Sequence, residues 1–178
     1  MRIGLVSGGF KPYHKGHHYV VAQAAGENDK VIILTSPSKG RDQISAEAMW
    51  RVWTEVIMPN FPFPNVELEF SRVPVGRVFE MMEELENGHL GDDTILNVYA
   101  GAQDMSSRFK DDYLAKKFPN SFQAGRIEKT AFERGKDSPT ASGTAAREAL
   151  EMRNHAKFKA ELPEFLQDKA GLIMQMLL

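Results

Sequence analysis

The strongest constraint on this 178-residue chain is a set of short, unbroken apolar runs lying between segments of helical composition. Residues 3–6 and 31–34 are such runs and 94–99 is apolar apart from Thr94 and Asn97, and none alternates apolar with polar residues as a half-exposed strand would. A strand that is apolar on both faces must be covered on both, which is the condition of a parallel sheet between helical layers. The spacing of runs and helices predicts an α/β fold with a parallel sheet covered by helices on both faces. Ligands bind such sheets at the carboxyl ends of the strands, so the loops after the strands are where function is sought.

The intervening segments fit this reading. Residues 16–25 read as a helix with Val20, Val21 and Ala24 on one face, closed by Gly26-Glu27-Asn28. Ser45 suits the N-cap of a helix whose core face is Met49, Trp50, Val52, Trp53, Val56 and Ile57. The proline-rich stretch 59–65 cannot be helix interior and reads as an ordered crossover loop. Residues 66–70 alternate like an edge or half-buried strand, 78–85 are helical with Asn87-Gly88 closing them, and another helix is expected over 104–117. The stretch to about residue 137 carries no clear pattern. A helix is expected from Ser142 to about 153, and 162–177 carries apolar residues at helical spacing. With no internal repeat and no linker, one domain is expected over 1–178, with a core to about 153 and C-terminal helices over 154–178 capping the sheet. The apolar end of the last helix also suits a second subunit, so a homo-oligomer is an alternative.

Composition narrows the function. With 22 Lys+Arg against 24 Asp+Glu the net charge is -2, which argues against a generally basic nucleic-acid binder. There are no cysteines, so disulfides, thiolate nucleophiles and thiolate-bound metals are excluded. No apolar run approaches the roughly 20 residues needed to span a bilayer. The N-terminus lacks the apolar length and cleavage site of a secretory signal, and a cytoplasmic protein is expected.

The loop after the first strand is the most unusual sequence in the chain: Gly8-Gly9-Phe10-Lys11-Pro12-Tyr13-His14-Lys15-Gly16-His17. The two glycines let the backbone turn sharply and approach a bound group. His14 and His17 are three apart, so at a helix start both rings project on one side. That end of a helix also carries unpaired N–H groups and partial positive charge, so it suits phosphate oxygens. Two imidazole donors there would stabilise charge that grows as a phosphoryl group is attacked, with no covalent intermediate. Lys11 and Lys15 would neutralise phosphate charge or remain solvated. Ligation of a transition metal by His14, His17 and His18 is the alternative, but no carboxylate in the loop completes a set. His18 lies outside the pattern and is expected to pack or stay exposed.

These residues fit the pattern GxFxPxHxGH, which matches by accident in roughly one chain per million of this length. The chain thereby resembles the nucleotidyltransferases that share a Rossmann-like fold with class I aminoacyl-tRNA synthetases. Within them it is most similar to the archaeal-type nicotinamide-nucleotide adenylyltransferases, and it also resembles phosphopantetheine adenylyltransferases and cytidylyltransferases.

A second segment, Ser142-Gly143-Thr144-Ala145-Ala146-Arg147, precedes a helix. Ser142 or Thr144 can cap it, and Arg147 shares a face with Thr144 and can clamp a polyphosphate. By itself this is a common capping sequence. It is similar to the ISSTxxR signature by which the same nucleotidyltransferases bind the triphosphate, with Gly143 replacing a hydroxyl residue.

The resemblance implies a transfer of a nucleoside monophosphate, AMP from ATP first, onto a phosphate-bearing small molecule with release of pyrophosphate. Mg²⁺ would be held mainly by the triphosphate. Nicotinamide mononucleotide is the first acceptor implied; phosphopantetheine, a cytidylyl transfer, or a nucleotide sensor of the same fold are the alternatives. His14, His17 and Lys11 would act at the reacting phosphate, while Gly8, Gly9, Phe10, Ser142, Gly143, Thr144 and Arg147 would bind the nucleotide. Arg41, Gly101 and Asp104 would lie near the acceptor or its phosphate, with Asp42 shaping the loop and Asp104 alternatively a helix cap. The segment 99–104 would line the nucleotide pocket. Arg126, Lys129, Arg134 and Lys136 form a basic stretch that would line the triphosphate channel or stay solvated.

Overall fold

The computed structural model describes residues 1–133 and 141–178. Five strands form one parallel sheet: β1 (Arg2–Gly8), β2 (Lys30–Thr35), β3 (Val66–Phe70), β4 (Ile95–Gly101) and β5 (Ile127–Phe132), in the order β3-β2-β1-β4-β5. The three apolar runs are the three central strands. Their buried side chains divide between two faces: Val6, Val31 and Ile33 on one, Leu5, Ile32 and Leu34 on the other. The fold is Rossmann-like, as the runs predict.

α1 (Lys15–Glu27), α2 (Ala46–Val52) and α7 (Gly143–Glu151) pack on the first face. α8 (His155–Glu161) and α9 (Ala170–Leu177) join them there. The second face is covered by α3 (Pro74–Glu86), α4 (Ala102–Arg108), α5 (Asp111–Lys117) and α6 (Pro119–Gln123). α9 lies against α2 and α8, and its Ile173, Met174 and Leu177 are buried in the cluster on this face. Among the described residues no helix is long and apolar enough to cross a membrane.

Four features depart from the sequence reading. Trp50 is 45% exposed, whereas Trp53 is 1% exposed. Each helical residue turns about 100°, so Trp50 lies one step beyond Met49, at the margin of the buried arc, and leans on Phe70 instead. The helix expected over 104–117 is two helices, because Phe109 leaves helical geometry and stacks on Phe79, ring centroids 5.2 Å apart. In the unreadable stretch lies the edge strand β5. Its polar residues are paired one by one: Glu128 with Arg2, Thr130 with Asn97, and Lys129 with Asp111. The C-terminal run is likewise divided, at Pro163, into a 3-10 turn over Glu164–Lys169 followed by α9.

The chain moves outward from β1 through β2 to β3, then returns to the other side of β1 for β4 and β5. The order therefore reverses between β1 and β4, where a crevice opens beyond the strand ends.

Candidate active site

A cleft of about 1120 Å³ opens at this reversal. The residues assigned to the two motifs and to the loops after β2 and β4 line it: Gly8, Gly9, Phe10, Lys11, His14 and His17 after β1, Arg41 after β2, Gly101 and Asp104 after β4, and Ser142, Gly143, Thr144 and Arg147 at α7. The rest of the 99–104 segment lines it too. Arg72 and the adjoining residues 73–75 also line the cleft, and the sequence reading missed them. Their signal was their place directly after a strand, the position that marks the other contributors.

His14 is the N-cap of α1. Its Nδ1 accepts the Gly16 and His17 amides at 3.0 and 3.4 Å, and the His17 Nδ1 accepts the His14 amide at 3.2 Å. The capping box, ordinarily made by a hydroxyl and a carboxyl side chain, is made here by two imidazoles. A ring nitrogen that accepts an N–H carries no proton, so in each neutral ring the proton sits on Nε2. Two α1 amides expected to receive phosphate are thus taken by His14, and the α1 terminus presents imidazoles in their place. Gly16 is required by this geometry: a Cβ there would lie 2.9 Å from His14 Cε1.

The sharp turn is made by Phe10, at φ 48°, and neither Gly8 nor Gly9 has positive φ. The ring of Phe10 is buried and meets His17 edge-on with centroids 4.7 Å apart, which supports the left-handed backbone. Lys11 is buried rather than solvated. Its ammonium donates to the carbonyls of Gly9 and Ser36 at 3.2 and 3.0 Å, and burial pushes its pKa below that of a free lysine.

At α7, Ser142 is the cap, its hydroxyl accepting the Ala145 amide at 3.1 Å. Among the described residues no capping oxygen receives the amides of Gly143 and Thr144. Arg147 is only 9% exposed. Its Nε donates to Asp42 Oδ2 at 2.6 Å, its Nη1 to the Lys11 carbonyl at 3.0 Å and its Nη2 to Thr144 Oγ1 at 3.3 Å. Gly143 leaves room for this arrangement, since a Cβ there would lie 2.8 Å from Arg147 Nη1.

Other expected site residues have different roles. Asp104 caps nothing; Gly101 occupies the N-cap of α4, and the Asp104 carboxylate lies 3.8 Å from Arg108. Arg126 sits ahead of β5, at the amino end of the sheet, where it donates to the Thr94 and Gly91 carbonyls and does not reach the cleft. Lys129 points to α5, donating to the Phe109 carbonyl. Arg134 and Lys136 lie outside the described residues. His18 packs among Phe61, Phe63 and Phe165, its Nδ1 2.8 Å from the Tyr13 hydroxyl, so it does not converge with the other two histidines.

No protein-family profile matches the chain, and no curated protein matches it. Solved structures are similar to it. One, described as a "Putative Nicotinate-nucleotide Adenylyltransferase" from Vibrio parahaemolyticus, superposes with a TM-score of 0.63 at 12% identity, over 95% of this chain and 97% of that one. Another, Thermotoga maritima TmcAL bound with alpha-thio ATP, gives 0.54 at 14% identity over 99% of this chain and 55% of that one. This chain therefore spans about half the length of the Thermotoga protein. At such identities the likeness establishes the fold.

Proposed function

We propose that this protein is a nucleotidyltransferase that joins AMP, taken from ATP, to a phosphate-bearing small molecule and releases pyrophosphate. One observation carries the reading. The loop after β1 and the α7 terminus, more than a hundred residues apart in the chain, meet through the bond from Arg147 Nη1 to the Lys11 carbonyl and line one cleft. Imidazole donors and a guanidinium are thereby gathered at the place where α/β sheets bind nucleotides.

In this reading an oxygen of the acceptor phosphate attacks the α-phosphorus in line. A new P–O–P bond forms, the bond to the β-phosphate bridge breaks, and pyrophosphate leaves with the bonding electron pair. The Nε2–H groups of His14 and His17 donate to the α-phosphoryl oxygens as their charge grows. The Gly143 and Thr144 amides, the hydroxyls of Ser142 and Thr144, and Arg147 hold the β- and γ-phosphates. Lys11 adds a buried positive charge beside them.

Mg²⁺ supplies charge screening when it arrives with the triphosphate. The oxygen donors lining the cleft include the Ser142 and Thr144 hydroxyls and the Asp104 and Glu133 carboxylates, a set suited to an ion carried mainly by phosphate oxygens and water. The cleft exceeds the roughly 300–1,000 Å³ of sites that hold one small molecule, which suits two reactants. The acceptor favoured by the wording of the first motif is nicotinamide mononucleotide, giving NAD.

Incubating the protein with ATP or CTP against a panel of phosphomonoesters, and weighing the joined product by mass spectrometry, identifies base and acceptor together. The expected product is NAD, with pyrophosphate released in equal amount. A dephospho-coenzyme A or cytidylyl product would replace the acceptor or the base. Binding of triphosphate with no product from any acceptor would make the protein a nucleotide sensor.

A further inference from the structure

We infer that Asp42 is the positioning residue for Arg147, and that triphosphate affinity depends on its carboxylate while the fold does not. This rests on the triphosphate reading of α7 given above.

A guanidinium has five N–H donors. Three of Arg147's are taken, by Asp42, the Lys11 carbonyl and the Thr144 hydroxyl, which belong to three separate segments of the chain. One N–H remains on each terminal nitrogen. The three anchors fix the plane of the fork and hence the direction of that remaining pair. Asp42 supplies the shortest of the three bonds and the one charged partner.

The turn that carries Asp42 is built around Arg147. Arg41 and Ile44 pair in an antiparallel bridge, with amide-to-carbonyl distances of 2.8 and 2.9 Å, and Asp42 and Gln43 fill the turn between them. Asp42 anchors the guanidinium, while the Gln43 side-chain Nε2 donates to the Arg147 backbone carbonyl at 2.7 Å. Both central residues of one tight turn are thus spent on a single arginine of α7.

Two features separate positioning from mere stabilisation. Asp42 has φ 52°, at the first central position of the turn, where glycine is the residue of least cost. Its side chain is 61% exposed against 10% for Arg147, so water reaches the carboxylate end of the pair and can take its place at the guanidinium when Asp42 is removed. A carboxylate that strains its backbone and whose place water can take is explained by the fork that it aims.

The test compares Asp42→Gly, Asp42→Asn, Gln43→Ala and Arg147→Ala with the wild-type protein. ATP affinity is measured by titration calorimetry and folding by thermal melting. Loss of a partner that orients a ligating side chain weakens binding by about tenfold or more. Asp42→Gly is expected to show that loss with an unchanged or raised melting temperature. Asp42→Asn, which keeps an oxygen acceptor, lies between it and the wild type, and Gln43→Ala binds ATP as the wild type does. The double variant Asp42→Gly/Arg147→Ala binds no more weakly than Arg147→Ala alone, because both act through one guanidinium. Wild-type affinity in Asp42→Gly, or losses that simply add in the double variant, would overturn the inference. The Arg147 Nε–H resonance, followed by NMR without nucleotide, separates this from the parent reading. A wild type that binds no triphosphate ends the nucleotide reading, whereas an Nε–H resonance unmoved by Asp42→Gly ends the positioning role.

Discussion

His14 and His17 lie ring upon ring, centroids 3.6 Å apart and planes tilted by 18°, with each Nδ1 accepting an amide from the first turn of α1. Each ring holds the other's backbone, so the pair is fixed before any ligand arrives. Preorganised donors of this kind are the arrangement that stabilises a phosphoryl transition state without reorganising at the moment of reaction.

Replacing His17 with alanine removes one such donor. Turnover, followed as pyrophosphate release, is expected to fall by about two to three powers of ten, as when an oxyanion-hole donor is lost. ATP affinity weakens far less, because the interaction strengthens mainly as the bond breaks. Unchanged turnover would remove His17 from the chemistry.

Gly16→Ala tests the same pair without touching either ring. The added methyl would sit 2.9 Å from His14 Cε1, and the ring it meets is held by two hydrogen bonds and a stack. His14 must therefore shift or the first turn of α1 must open. The melting temperature should drop by several degrees, since core overpacking costs about 1–3 kcal/mol, and turnover should fall along with it. A variant with wild-type melting and turnover would mean that the ring swings aside freely.

These two residues illustrate how far the sequence can be read. The spacing of His14 and His17 stands out as a motif, and so do Ser142, Thr144 and Arg147, because the proposed phosphoryl chemistry would demand particular residue types at fixed intervals. The central strands are legible because burial on both faces leaves mostly apolar residues. What escaped depends on long-range pairing. β5 is polar in sequence because Arg2, Asn97 and Asp111, all distant along the chain, satisfy its Glu128, Thr130 and Lys129. The left-handed turn at Phe10 could not be foreseen, since it is stabilised by where the ring packs rather than by the residue type. The bond of Arg147 to Asp42 joins residues 105 apart, and nothing local to either announces it.

His18 supplies a prediction about pH. Burial among Phe61, Phe63 and Phe165 pushes its pKa down to about 4, against 6.5 for an exposed ring. Between those values the unfolded chain binds a proton that the folded chain refuses, so falling pH favours unfolding. The contribution of His18 is complete above about pH 6.5 and is lost progressively down to about pH 4. His18→Gln should lose less stability than the wild type between pH 7 and pH 4.5, measured by urea unfolding. Parallel pH profiles would show that His18 is not the group responsible.

Gly9 separates what folding needs from what a ligand needs. It is exposed, it has no positive φ, and a Cβ built on it would meet no protein atom within 4 Å. Nothing in the fold therefore requires glycine there, and Gly9→Ala should leave the melting temperature unchanged or raise it slightly, since alanine restricts the unfolded chain more than glycine does. The same position lines the cleft with His14 and His17, where in the proposed function the backbone would approach a bound phosphate closely. A methyl there stands in the space that the phosphate would fill. ATP affinity measured by calorimetry should fall by about an order of magnitude, comparable to one lost charge-assisted hydrogen bond of roughly 1.5–3 kcal/mol, while stability holds. If Gly9→Ala binds ATP as tightly as the wild type, the triphosphate does not pass over the β1 loop, and the assignment of that loop to the nucleotide fails even though the fold and the α7 contacts stand.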